Sequence, residues 1–177
     1  PNILWIYIED QEPRYGCYGE HRVETPNIDA LAEQGVVFER AYSPAPVCSP
    51  SRSAVITGSY AIRLGTHVQR SSRFPGEEIY LPDTVKTVPE LFREAGYFTF
   101  NHGKDDYNFT RDRTLLYSTG NGFKDPGIEK GVQAGGGDWR ECPAGMPFFA
   151  QIQTNGGKHG YSLEGVANAL RKLGAVD

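Results

Sequence analysis

No stretch of about 18 consecutive apolar residues occurs in the 177 residues, so the sequence offers no membrane-spanning helix. It lacks an excess of basic residues: 18 Lys and Arg against 22 Asp and Glu leave a formal charge of −4. That balance weighs against nucleic-acid binding, which needs a basic face for the phosphates. There are three cysteines, Cys17, Cys48 and Cys142, which cannot all pair with one another, and no C-x-x-C that would suggest zinc. No internal repeat and no low-complexity tract is present. The chain begins at Pro1, directly in an apolar stretch, without a secretory leader; a leader that was removed or lies upstream fits this reading. What is present, 38% hydrophobic and 23% charged residues, describes an ordinary globular protein of one domain.

Residues 2–8, NILWIYI, form a continuous apolar and β-branched run, which predicts a strand buried on both faces and ending in Glu9-Asp10. Thr25-Pro26 reads as N-cap and first residue of a helix stopped at Gly35. Val36 to Tyr42 predicts a second strand, and Ser49-Pro50 a second helix start with Gly58 near its end. Residues 59–86 read as loop, and Thr87-Val88-Pro89-Glu90 as a capping box opening a helix that ends at Gly96. Tyr97 to Asn101 and Pro147 to Gln153 read as further strands, and Thr110 to Gly145 as irregular. Leu163, Val166, Leu170 and Leu173 predict a closing amphipathic helix. Strands alternating with helices imply an α/β fold with a mainly parallel sheet flanked by helices. Ligands of such sheets bind beyond the carboxyl ends of the strands, the edge to which Glu9-Asp10, Lys104 and His159 are assigned.

The strongest chemical signal is Cys48-Ser49-Pro50-Ser51-Arg52. It resembles the C-x-P-S-R motif of the type I, formylglycine-dependent sulfatases of the alkaline phosphatase-like superfamily. Ser43-Pro44-Ala45-Pro46-Val47, Thr57-Gly58 and the run from Thr25 to Ala32 resemble that family too. The likeness covers roughly residues 2–110 well and 147–160 more loosely. It implies a partial N-terminal catalytic domain over residues 1–159 and a tail of uncertain origin over 160–177. It also implies that a formylglycine-generating or equivalent maturation enzyme oxidises Cys48. A hydrated aldehyde has two hydroxyls: one attacks the sulfur of a sulfate ester, and the other then expels sulfate by restoring the aldehyde. A serine would be left as a stable ester.

By the same resemblance, Glu9 and Asp10, together with the modified Cys48, are ligands of a calcium ion, a cation suited to hard oxygen donors. The family pair is usually Asp-Asp, so Glu9 is a departure that keeps the carboxylate. Arg52 steadies the diol or grips an oxyanion with its two-pronged guanidinium. Lys104 corresponds to a lysine that contacts the sulfate. The family commonly has histidine two residues later, where this chain has Asp106. Asp106-Tyr107-Asn108 resembles a Lys-x-Asp-Tyr-Asn branch directed at carbohydrates, which puts the usual basic partner of the diol in question. His159 corresponds to a histidine that contacts the sulfate and protonates the leaving oxygen. His67 borders the site on this reading, and His21 and His102 are structural. The family's later Asp-Asn pair, which completes the calcium site, has no counterpart after His159. The function implied is hydrolysis of sulfate esters, with sulfated carbohydrate as substrate and a periplasmic or secreted setting. The alternatives are a phosphonate or phosphate ester hydrolase of the same superfamily, or an inactive truncated remnant.

Overall fold

The computed structural model describes residues 1–120 and 134–154. The expected closing helix and His159 lie outside the described residues. Two compact units divide the chain, the first made of Pro1–Tyr7 and Val36–Thr154 and the second including Ile8–Gly35.

The first unit is organised by four strands: β1 (Ile3–Ile8), β2 (Phe98–Lys104), β3 (Ala134–Gly136) and β4 (Phe148–Thr154). They lie in the order β1-β4-β2-β3. Strands β2 and β4 run parallel with Phe98 opposite Phe148 and His102 opposite Ile152, while β3 is antiparallel to β2. The parallel pairing puts Lys104, at the end of β2, and Thr154, at the end of β4, on one edge of the sheet.

Apolar side chains cover both faces of the central strands. Phe98, Phe100 and Ala150 cluster with Cys142 and Phe148. Phe149 stacks on Phe92 at 4.5 Å between ring centroids and meets the edge of Trp5 at 5.0 Å. A second cluster joins Ile56, Leu81, Tyr107, Phe109, Leu116 and Tyr117. Each fully buried side chain of this size contributes about 1.5–3 kcal/mol by leaving water.

Three helices belong to this unit: α2 (Cys48–Thr57), α3 (Val88–Glu94) and the short α4 (Arg113–Leu116). Helix α2 starts where Val47 leaves extended backbone, and it ends at Gly58 in the left-handed conformation (φ 63). Helix α3 carries the expected capping box: the Thr87 side chain and the Glu90 carboxylate satisfy each other's backbone N–H groups.

Three expectations are corrected. Val36 to Tyr42 forms no strand; Val36, Phe38 and Tyr42 are exposed, and the segment finds no partner strand among the described residues. Strand β1 is not buried on both faces. It alternates, with Ile3, Trp5 and Tyr7 half-buried and Leu4, Ile6 and Ile8 exposed, because only one of its faces is covered. The stretch from Thr110 to Gly145 is not wholly irregular, since it holds α4 and β3.

In the second unit, α1 (Pro26–Gln34) has Pro at its first position and is followed by Gly35, as the sequence indicates. The Asp29 carboxylate accepts the Cys17 N–H at 2.7 Å and the Thr25 hydroxyl at 3.1 Å, tying a short 3₁₀ turn (Gly16–Tyr18) to the helix.

Candidate active site

The site is assembled from the first turn of α2 and the loops after β2 and after α2. Cys48 is the first residue of α2, a half-buried thiol. Pro50 falls in the turn where its missing N–H costs nothing, because the first N–H groups of a helix have no partner inside it. Those N–H groups and the helix dipole favour negative charge beside residue 48.

The Gln69 side chain holds this turn. Its oxygen accepts the Ser49 hydroxyl at 2.7 Å and the Ser49 N–H at 3.2 Å, so its nitrogen is turned toward Cys48 Sγ, 3.2 Å away. The Ser49 hydroxyl in turn accepts the Arg70 N–H at 3.1 Å. Asn108 fastens the same loop from the other side, donating its side-chain amide to the Thr66 carbonyl at 2.9 Å and to the Val68 carbonyl. Its backbone N–H reaches Ser53 Oγ of α2 at 2.7 Å.

Arg52 lies one turn along α2. It donates to the Lys104 carbonyl at 3.0 Å and to Gln153 Oε1 at 2.5 Å, and it covers the Tyr7 ring at 5.4 Å. Burial, and to a lesser degree Tyr107, raises the Tyr7 phenol far above its usual range despite the neighbouring Arg52, so it stays protonated. Lys104 is buried, with Nζ 3.2 Å from Asp106 Oδ2. Gly103 precedes it with φ 93, and a side chain there would strike Gln153 Cβ at 2.8 Å. Only glycine lets β2 turn so close to β4 and still deliver Lys104.

Beneath the loop, Asp105 receives Arg113 Nε at 2.6 Å, both groups buried. Arg113 also stacks over the Tyr107 ring at 5.0 Å. The Tyr107 and Tyr117 hydroxyls meet at 2.9 Å, and the Gln151 amide donates to Tyr117 at 3.0 Å. Burial, with Asp105 nearby, pushes the Tyr107 phenol up to about 12. This neutral network and the compensated ion pair set the backbone of residues 104–108.

Of the residues expected at the site, Cys48, Arg52 and Lys104 are thus joined through one set of contacts. Glu9 and Asp10 directly follow β1 and belong to the second unit; Glu9 is buried, and Asp10 has left-handed backbone (φ 50). Calcium takes six to eight oxygens. Among the described residues no three His, Cys, Asp or Glu side chains are grouped so as to hold a metal ion. His67 is exposed, next to the two carbonyls that Asn108 holds, and His21 and His102 are exposed as well. Gln69 and Arg70 were missed by the sequence reading. Both fall in a stretch with no periodic pattern, and their role appears only through contacts with residues about 20 positions away.

An α/β sheet with cations gathered at the carboxyl ends of its strands, beside a helix N-terminus, defines a site receptive to anions. The chain belongs to the sulfatase family, whose sequence profile matches residues 1–168. It is 37% identical over 115 residues to an ulvan-active sulfatase of Formosa agariphila, covering 62% of this chain and 19% of that protein. It is 40% identical over 110 residues to the human N-acetylgalactosamine-6-sulfatase, covering 59% of this chain and 21% of the relative. Among solved structures it is similar to a 2-O GAG sulfatase (26% identity, TM-score 0.59), over 88% of this chain and 35% of that one. The chain therefore spans about a fifth of the length of the curated relatives it matches.

Proposed function

We propose that this protein hydrolyses sulfate esters of carbohydrates with a formylglycine formed from Cys48. The observation that carries the reading is the placing of Cys48 at the start of α2, with Arg52 and Lys104 linked to it by hydrogen bonds and the helix backbone. The substrate class rests on the relatives, named for ulvan, N-acetylgalactosamine-6-sulfate and GAG chemistry. Such polymers suit a periplasmic or secreted enzyme.

Formylglycine supplies a hydrated aldehyde, a nucleophile that resets itself by expelling sulfate. The chain's own residues do the rest. Gln69 keeps an N–H donor against residue 48, where a deprotonating hydroxyl needs one. Arg52, fixed by Gln153 and the Lys104 carbonyl, holds positive charge one helical turn away. Lys104 Nζ, buried beside Asp106, is the ammonium that contacts the sulfate oxygens. His159 is the group that hands a proton to the departing sugar oxygen. Glu9 and Asp10 are the carboxylates that would hold a calcium ion, which would offset the charge of the bound sulfate.

The test is modification of Cys48. Coexpressed with a formylglycine-generating enzyme, the chain should yield a tryptic peptide Ala41–Arg52 lighter by about 18 Da. An unmodified thiol in every preparation removes the basis of the proposal.

A further inference from the structure

The contacts around the site close on themselves. Cys48 meets Gln69, and Arg70 meets Ser49; Arg70 Nε lies 3.9 Å from Asp106 Oδ1; Asp106 meets Lys104; and the Lys104 carbonyl meets Arg52, which returns to Cys48 along α2. This ring carries three cations, Arg52, Lys104 and Arg70, and one carboxylate, Asp106.

Arg70 is unusual in two further ways. Its backbone is left-handed (φ 58), as is that of Asp106 (φ 52), and such non-glycine conformations cost about 1–3 kcal/mol each. Among the described residues the one other case is Asp10, itself a candidate metal ligand. In addition, Arg70 Nε is buried without a hydrogen-bond partner, while the side chain as a whole remains 43% exposed. With its buried Nε turned toward Asp106, this guanidinium keeps an open outer edge, whose terminal N–H groups suit planar or tetrahedral oxyanions. At 3.9 Å Asp106 orients it without saturating it.

We infer that Arg70 binds an acidic group of the substrate, a sulfate or a sugar carboxylate, as a third cation of the site beside Arg52 and Lys104. This rests on the proposed sulfatase reading for its substrate but not for the binding itself. Asp106 then acts as a bridge that sets the spacing between Arg70 and Lys104, a task for which a histidine at that position would carry the wrong charge.

Arg70→Asn is the informative variant, since asparagine tolerates left-handed backbone and removes the guanidinium without new strain. Sodium sulfate, glucose 6-sulfate and glucuronate are titrated into the ¹⁵N-labelled chain, following the Arg70 Nε–H resonance. Cys48→Ala serves as a background that cannot be converted. The resonance should shift with sulfate or glucose 6-sulfate, and Arg70→Asn should weaken binding on the order of tenfold. A response to glucuronate as well would assign the site to carboxylates too. An unmoved resonance with all three titrants, or affinity unchanged in a folded Arg70→Asn chain, overturns the inference. Binding that survives in the Cys48→Ala background separates this result from success or failure of the formylglycine reading.

Discussion

At the scale of single residues, the site shows which groups a motif reveals and which only a fold can. Cys48 and Arg52 stand four positions apart in one motif and Lys104 follows a recognisable strand, so the sequence could single out these three residues, which the structure links through one set of contacts. Gln69 was not, because a glutamine in an aperiodic polar loop carries no pattern; its meaning lies in three contacts to the first turn of α2. This gives a prediction for stability. Gln69→Leu keeps the volume but leaves the buried Ser49 hydroxyl and its N–H without their acceptor. An unsatisfied buried polar group costs about 1–3 kcal/mol, so the urea midpoint should fall accordingly with the slope unchanged. Gln69→Glu retains both acceptor bonds and should recover most of that loss. A Gln69→Leu chain as stable as the parent would mean that the bonds to Ser49 contribute nothing net.

At the scale of elements, local signals were read correctly where the local chemistry is self-contained. The capping box of α3 is the clearest case, since Thr87, Pro89 and Glu90 define the helix start from four consecutive residues. The same reasoning failed for Val36 to Tyr42, where an apolar run satisfied the strand pattern but, among the described residues, no neighbouring strand supplies the hydrogen bonds that a strand requires. It failed again for the extent of burial of β1, because burial depends on what covers a face and not on the residues forming it. Short α4 and β3 were missed for a related reason: α4 is four residues long and begins at Asp112, whose side chain caps the Thr114 N–H, and β3 is glycine-rich. The α3 cap also titrates. Burial pushes the Glu90 carboxyl up, but the Thr87 backbone N–H, Arg111 and the Thr87 hydroxyl outweigh it and hold the group below its usual range. Its folded-state pKa is therefore depressed. The stability it contributes is complete above the unfolded value of about 4.5 and is lost as pH falls through the lower folded value. Thr87→Ala should cost about 0.5–2 kcal/mol at neutral pH. Glu90→Gln should flatten the acid limb of the stability curve measured by urea unfolding between pH 5 and the folded pKa. An acid limb of the same steepness in Glu90→Gln would place that dependence on other carboxylates.

At the scale of the whole molecule, the fold class and the family were legible early, because the order of strand, helix, motif and loop is itself a signature. How the functional centre is completed was not, since its groups come from distant parts of a chain, as Gln69 and Arg70 come to Cys48 and Ser49. The described residues bring together three cations and the first turn of α2, and on the proposed reading Glu9 and Asp10 alone supply fewer oxygens than a calcium ion would need. The chain also covers about a fifth of its curated relatives' length. A polypeptide of these 177 residues, with Cys48 converted, should therefore bind a sulfate ester through its cations but turn it over poorly. Electrostatic stabilisation is usually the largest single contribution in such sites, and the loss of one preorganised contact lowers the rate by about two to three orders of magnitude. The exposed side chains Leu4, Ile6 and Ile8 of β1, at the end of the strand order, add a second expectation: the isolated polypeptide should self-associate at high concentration. The decisive measurement is aryl-sulfate turnover at increasing calcium beside a full-length relative carrying the same motif, with light scattering to follow association. Equal rates would show that residues 1–177 already hold a complete catalytic centre, and a monomer at every concentration would show that the β1 face is covered in solution.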